Sequence, residues 1–289
     1  MILLTLACTD PGDSKDRPAT GDSADSATTD SMVTDSTPTD STPTDSTSTD
    51  PTETAETGDS GTTPADPVGV LVLGGGGTEG ALDAPGSWSW DLYTALFEGG
   101  DINGDGRITA AVLSVWDEDE WMPAYLVAVG ADEAFNLNAD TPEAVEAAAV
   151  AVAAVDAVFI KGGDQGAYYD AWNGTALEDA ILAVHAAGGG IGGTSAGAMS
   201  QSEWAIAGSA NFDSFQVLGD SRTDAMDDVS DGGTGIHNDF LPLLPDTLVD
   251  THFTERARLG RLAGALAAYY IISPAEARGR ARTPENFPG

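Results

Sequence analysis

The sequence predicts an α/β fold, a three-layer αβα sandwich built on a mainly parallel sheet. Two observations lead there: short β-branched runs that stop at glycines, as buried parallel strands do, and capped helical segments placed between them. Pro67 to Leu73 is the first such run and ends at four glycines; Ala110 to Trp116 reads as the second strand. Pro142 to Val155 is alanine-rich and opens with Thr141 as cap and Pro142 at the first helical position. Ala157-Val158-Phe159-Ile160 is the third strand, running into Lys161-Gly162-Gly163-Asp164-Gln165. Thr175-Ala176-Leu177-Glu178 has the form of a capping box, followed by Ile181, Leu182 and His185 at helical spacing and a stop at Gly188. Leu248 to Phe253 is read as a further strand, leading into a helix that carries Arg256, Arg258 and Arg261. A sheet of this kind places its site at the carboxyl ends of the strands.

Only part of the 289 residues has the composition to fold. From residue 9 to 66 the chain is Asp, Ser, Thr, Pro and Gly, with an approximate Thr-Asp-Ser-Thr-Pro unit recurring between Thr34 and Thr52. Such a segment buries too little apolar surface to offset the entropy of ordering, and reads as a disordered acidic linker. Residues 67–289 form the domain, long enough to bury roughly 70 % of its unfolded surface. Residues 1–8, Met-Ile-Leu-Leu-Thr-Leu-Ala-Cys, resemble the end of a bacterial lipoprotein signal peptide, with Cys8 as the lipidated residue, although no basic residue precedes the apolar run. That reading predicts a lipid-tethered protein of the cell envelope or exterior, touching membrane only through its anchor.

Cys8 is the single cysteine, so no intramolecular disulfide supports the fold. The formal net charge of −36 argues against nucleic acid or an anionic membrane surface as partner. Cations are few and unevenly placed: Arg256, Arg258, Arg261, Arg278, Arg280 and Arg282 crowd the C-terminal end, and Lys161 is the domain's only lysine.

The densest chemical signal is Gly193-Thr194-Ser195-Ala196-Gly197. A serine between close glycines fits the nucleophile elbow, a strand-to-helix turn that leaves its hydroxyl exposed. The same glycine run also suits a loop that needs close backbone packing. A nucleophilic serine requires a base, and the chain has three histidines. His185 lies on a helix and His237 in a Gly/Asp-rich loop, whereas His252 emerges near a strand end, just before the helix that carries the arginine cluster, which makes it the candidate base.

Gly162-Gly163-Asp164-Gln165, the Ser195 block, and Asp250-x-His252-Phe253-x-x-Arg256-x-Arg258-x-x-Arg261-Leu262 together resemble the three signature blocks of the cyanophycinases. These belong with the aspartyl dipeptidases among serine peptidases, on a fold similar to class I glutamine amidotransferases and hence flavodoxin-like. The resemblance runs from about Val68 to Leu266 and implies Ser195 as nucleophile, His252 as base, and the amides of Gly163 and Ala196 as oxyanion hole. It places Gln165, Asp250, Arg256, Arg258 and Arg261 around a substrate with a β-linked aspartyl group, either a cyanophycin-like polymer or a β-aspartyl (isoaspartyl) peptide. Arginine suits the free α-carboxylate of that group. No cofactor is needed, and a homodimer is compatible with the family. An inactive binding module of the same fold, or an amidotransferase-like hydrolase acting on another amide, remain the alternatives.

The triad acid stays open at this level: Asp213 lies at about the family spacing, Glu203 is a second candidate, and Glu276 stands well after the histidine. Residues 269–289 lack the further strands expected and read as atypical or truncated. Gly75-x-Gly77-x-x-Gly80 formally matches a dinucleotide fingerprint, but Ala84-Pro85-Gly86 follows where a helix belongs, which favours a glycine loop beside the active site. Asp101, Asn103 and Asp105 copy the start of a calcium loop, yet Val112 stands where a bidentate glutamate is required, so an Asn/Gly turn competes with a weak calcium site.

Overall fold

The computed structural model describes residues 3–6, 69–116, 120–206, 214–219 and 235–272. In chain order the elements are β1 (Leu3–Leu6), β2 (Val70–Gly74), α1 (Trp88–Thr94), β3 (Thr109–Ser114), α2 (Trp121–Val129), β4 (Glu133–Asn138), α3 (Pro142–Val152), β5 (Ala157–Ile160), α4 (Gln165–Trp172), α5 (Ala176–Ala186), β6 (Gly190–Thr194), α6 (Ala196–Met199), β7 (Ser202–Ile206), α7 (Ser214–Gly219), β8 (Ile236–His237), β9 (Leu244–Leu248) and α8 (Leu259–Ile272). No helix among the described residues is long and apolar enough to cross a membrane.

The main sheet has the order β1-β2-β6-β5-β3-β4, and every pairing in it is parallel. Side chains alternate across a strand, so each buried strand feeds two cores. Leu71 and Leu73, Ala111 and Leu113, and Val158 and Ile160 pack on one face with residues of α3, α4 and α5. Val72, Ala110, Val112, Ala157 and Phe159 pack on the other with α1 and α2. That division is the three-layer αβα sandwich. Phe159, fully buried with its ring edge-on to Tyr93 at 4.8 Å, contributes on the order of 1.5–3 kcal/mol by its burial.

Local chemistry explains the element ends. Thr141 accepts a hydrogen bond from the Ala144 amide and so caps α3, with Pro142 at its first turn. At α5 the expected capping box does not close: the Thr175 hydroxyl donates back to the Trp172 carbonyl, and the Glu178 carboxylate accepts from the amide of Gly174. A second sheet, β8-β7-β9, was not foreseen from sequence; β7 pairs antiparallel with β8 and parallel with β9. It sits directly after the elbow helix α6 and supports the chain leading to His252.

Residues 9–66, which include the acidic linker, and Cys8 and Glu276 lie outside the described residues, whereas Leu3–Leu6 pairs beside β2. The atypical C-terminal stretch is described only as far as Ile272, where α8 ends. At the calcium-like loop, Asp101 accepts from the amides of Gly104, Asp105 and Gly106, and Asn103 from that of Asp105. Asp105 in turn accepts from Arg107. These oxygens therefore build a turn from their own backbone, and no cluster of three or more His, Cys, Asp or Glu fit for a metal occurs among the described residues.

Candidate active site

The carboxyl ends of β2, β6 and β5 lie side by side, with Gly74 paired to Thr194 and Ile160 to Gly193. One step past those pairs the chain presents Gly75, Ser195 and Lys161 to the same end of the sheet.

Ser195 sits at φ 51°, ψ −117°, in the left-handed region that β6 must pass through to turn into α6. Its two glycines are required by close approach. A Cβ at Gly193 would stand 2.5 Å from the Gly197 carbonyl oxygen, and one at Gly197 would stand 2.6 Å from the Ile160 carbonyl carbon. The strained serine is thus pinned between its own helix and the end of β5, with its amide donating to the Gly74 carbonyl at 3.0 Å.

His252 comes to this serine from the far side of the sequence. Its Nε2 lies 2.8 Å from Ser195 Oγ. The expected strand over Leu248 to Phe253 is instead β9, ending at Leu248, and His252 occupies a tight turn at φ 50°. Its amide donates to the Gly75 carbonyl at 2.7 Å, which ties the turn to the glycine loop after β2. That loop is flush with the imidazole: a Cβ at Gly76 would stand 2.5 Å from Nε2. Burial, and then the charge of Arg256, push the His252 pKa below its ordinary value, so the neutral, proton-accepting form is favoured. Its neighbours Glu255 and Asp250 act in the opposite direction, Arg261 in the same one.

The arginine cluster departs from the expected helix. α8 begins at Leu259, so only Arg261 is helical; Arg256 and Arg258 lie in the preceding turns, where Ala257 takes φ 49°. Arg256, Arg258 and Arg261 line a cavity of about 180 Å³ with Gly163, Asp164, Gln165, Ser195, Met199, Thr251 and His252. Asp250 is turned inward, its side chain wholly buried and held by Arg261, whose Nε donates to it at 2.9 Å and whose second nitrogen also pairs with it. Arg258 stands 3.9 Å from the same carboxylate. Asp250 therefore orders the arginines from behind. Gln165 donates to the Ile206 carbonyl at 2.8 Å, joining the start of α4 to β7 while it lines the cavity.

A second cavity of about 480 Å³ shares Gly163, Ser195, His252 and Arg256 with the first and is lined further by Glu79, Trp121, Met122 and Lys161. The Gly162-Gly163 turn packs on the serine, a Cβ at Gly162 falling 3.3 Å from Ser195 Cβ. Ala196 opens α6, and an amide in the first turn of a helix has no partner within the helix. Both oxyanion candidates thus flank Ser195.

Of the acids, Asp213 lies outside the described residues, and Glu203 accepts from the Asp246 amide at 2.7 Å in the second sheet. Among the described residues no carboxylate hydrogen-bonds to the imidazole. The other histidines serve elsewhere: His185 is half-buried on α5, and His237 is buried on β8 with its ring 4.3 Å from that of Tyr169. Sequence reading missed Trp116, Tyr168 and Met199 around the site, which lie in none of the three blocks, and Thr251, which is the unassigned position between Asp250 and His252.

Residues 130–269 match the model of peptidase family S51. No curated protein matches the chain. Among solved structures the chain is similar to one described as a crystal structure of a peptidase from an acI-B1 Actinobacterium, at 18% identity and a TM-score of 0.48, covering 69% of this chain and 75% of that one.

Proposed function

We propose that this chain is a serine-type peptidase, a reading supported by the match of residues 130–269 to family S51, and that it hydrolyses β-aspartyl peptide bonds through an acyl-enzyme on Ser195. The observation that carries the proposal is the 2.8 Å contact between a left-handed elbow serine and His252, at the mouth of a small cavity lined by three arginines. A neutral imidazole with its proton on Nδ1 accepts the Ser195 proton at Nε2 as Oγ attacks the side-chain carbonyl. The oxygen of the tetrahedral intermediate lies against the amides of Gly163 and Ala196. His252 then gives the proton to the leaving nitrogen, the C–N bond breaks, and water repeats the cycle to release the acid.

The substrate class follows from charge and size. A cavity of about 180 Å³ with Arg256, Arg258 and Arg261 on its wall suits a compact group bearing a carboxylate, and Asp250 already offsets part of the charge of Arg261. The aspartyl α-carboxylate is such a group. In the same reading the protein acts outside the cytoplasm on isoaspartyl peptides or a cyanophycin-like polymer, and tethering through Cys8 would remove Leu3–Leu6 and leave β2 as the edge of the main sheet.

A panel of α- and β-linked aspartyl dipeptides tests the substrate. Release of aspartate from the β-linked members, lost in Ser195→Ala with melting temperature nearly unchanged, is expected; cleavage of α-linked members alone would overturn the specificity. The second reading is a module of the same fold that binds without cleaving. It requires that Ser195 resist covalent serine-reactive probes.

A further inference from the structure

We infer that Tyr168 is a positioning residue for the oxyanion hole, fixing the direction of the Gly163 amide; this rests on the serine-peptidase reading above. Tyr168 lies on α4, fully buried, with its ring stacked 4.6 Å from that of Trp172 and edge-on to Trp116. Its hydroxyl reaches the turn after β5 and donates to the carbonyls of Lys161 and Gly162, at 3.0 and 2.9 Å. One hydroxyl hydrogen is shared between two consecutive carbonyls, which forces both to point the same way.

The consequence comes from peptide geometry. The Gly162 carbonyl and the Gly163 N–H belong to one planar unit, and no peptide bond in the described chain is cis. In a trans unit the C=O and N–H point in opposite directions. With the carbonyl held toward buried Tyr168, the Gly163 N–H is directed away from it, to the side where Gly163 and Ser195 line the two cavities together. Trp116 closes the bracket: at φ 145° Gly163 lies against its ring, and a Cβ there would come within 3.0 Å of Cη2. The turn has glycines that would let this peptide rotate, and Tyr168 supplies the restraint that glycine does not.

Tyr168→Phe removes the restraint and keeps the ring. The test reads the reaction of full-length protein with a fluorophosphonate, whose adduct oxygen occupies the oxyanion position, and separates the inactivation rate kinact from the binding constant KI. The expected result is a fall in kinact of about ten- to a hundredfold with KI unchanged, somewhat less than the ~10²–10³ seen when an oxyanion donor is deleted outright. Trp172→Phe, which disturbs the ring packing but keeps the hydroxyl, should lower the melting temperature and leave kinact near wild type. If Tyr168→Phe does not fold, Tyr168→p-fluorophenylalanine fills the same space without a proton to donate and should show the same loss. A wild-type kinact in either hydroxyl-lacking variant overturns the inference while leaving the peptidase reading intact. Failure of the wild-type protein to label at Ser195 overturns both.

Discussion

Replacing Gly76 by alanine puts a methyl group where the imidazole of His252 now lies. The added Cβ would stand 2.5 Å from Nε2 and 2.9 Å from Nδ1. Comfortable contacts between such atoms begin at about 3.5 Å, so the ring must retreat by roughly 1 Å. The Ser195–His252 contact is 2.8 Å, and lengthening it by that amount breaks the hydrogen bond. A displacement of about 1 Å at a reacting centre costs on the order of 10²-fold in rate. The substitution also places alanine at φ 89°, a backbone cost of about 1–2 kcal/mol, which by itself could lower stability. Gly77→Ala separates the two effects, because Gly77 has φ 117° and an added Cβ there meets nothing within 4 Å. Both variants should lose comparable stability in urea denaturation, while only Gly76→Ala should lose about two orders of magnitude in fluorophosphonate labelling of Ser195. Equal labelling by the two variants would refute the idea that the glycine loop seats the base.

Further outcomes follow from the electrostatics. The His252 pKa is lowered, first by burial and then by Arg256, so the labelling rate should fall toward acid with a midpoint below the ordinary histidine value of about 6.5, and Arg256→Gln should move that midpoint upward. The linked stability has a definite sign: between the lowered pKa and about 6.5 the unfolded chain binds more protons, so this contribution is complete above that window and declines as pH falls through it. Asp250→Asn removes the wholly buried partner of Arg261 and leaves that cation, 9% exposed, without its counter-charge; chemical denaturation should show a loss of about 3–5 kcal/mol.

The strands of the main sheet were legible because burial on both faces writes itself as continuous apolar runs: β5 was read at its observed bounds, Ala157–Ile160. The elbow was legible because only glycine fits the contacts at Gly193 and Gly197. β4 escaped, since an edge strand with Glu133, Asn136 and Asn138 carries no such run. β9 escaped for a related reason: Pro245 argues against a strand, yet β9 lies at the edge of its sheet, where proline is tolerated. That misreading displaced the start of the arginine helix, because the turns from His252 to Arg258 use left-handed residues, His252 and Ala257, that no pattern of hydrophobicity announces. The glycine loop after β2 was expected beside the active site, and its backbone does hold the His252 turn. The role of Asp250 behind the arginines depended on side-chain direction, which spacing alone does not encode.

Ser195 acts as a nucleophile only if His252 activates it. Full-length protein treated with a fluorophosphonate, digested and read by mass spectrometry measures this directly. One adduct is expected, on the peptide containing Ser195, with a loss of at least about a hundredfold in labelling rate for His252→Asn, since asparagine tolerates the left-handed backbone at this position. Wild-type labelling rates in His252→Asn, or an adduct on any other serine with Ser195 unmodified, would contradict it.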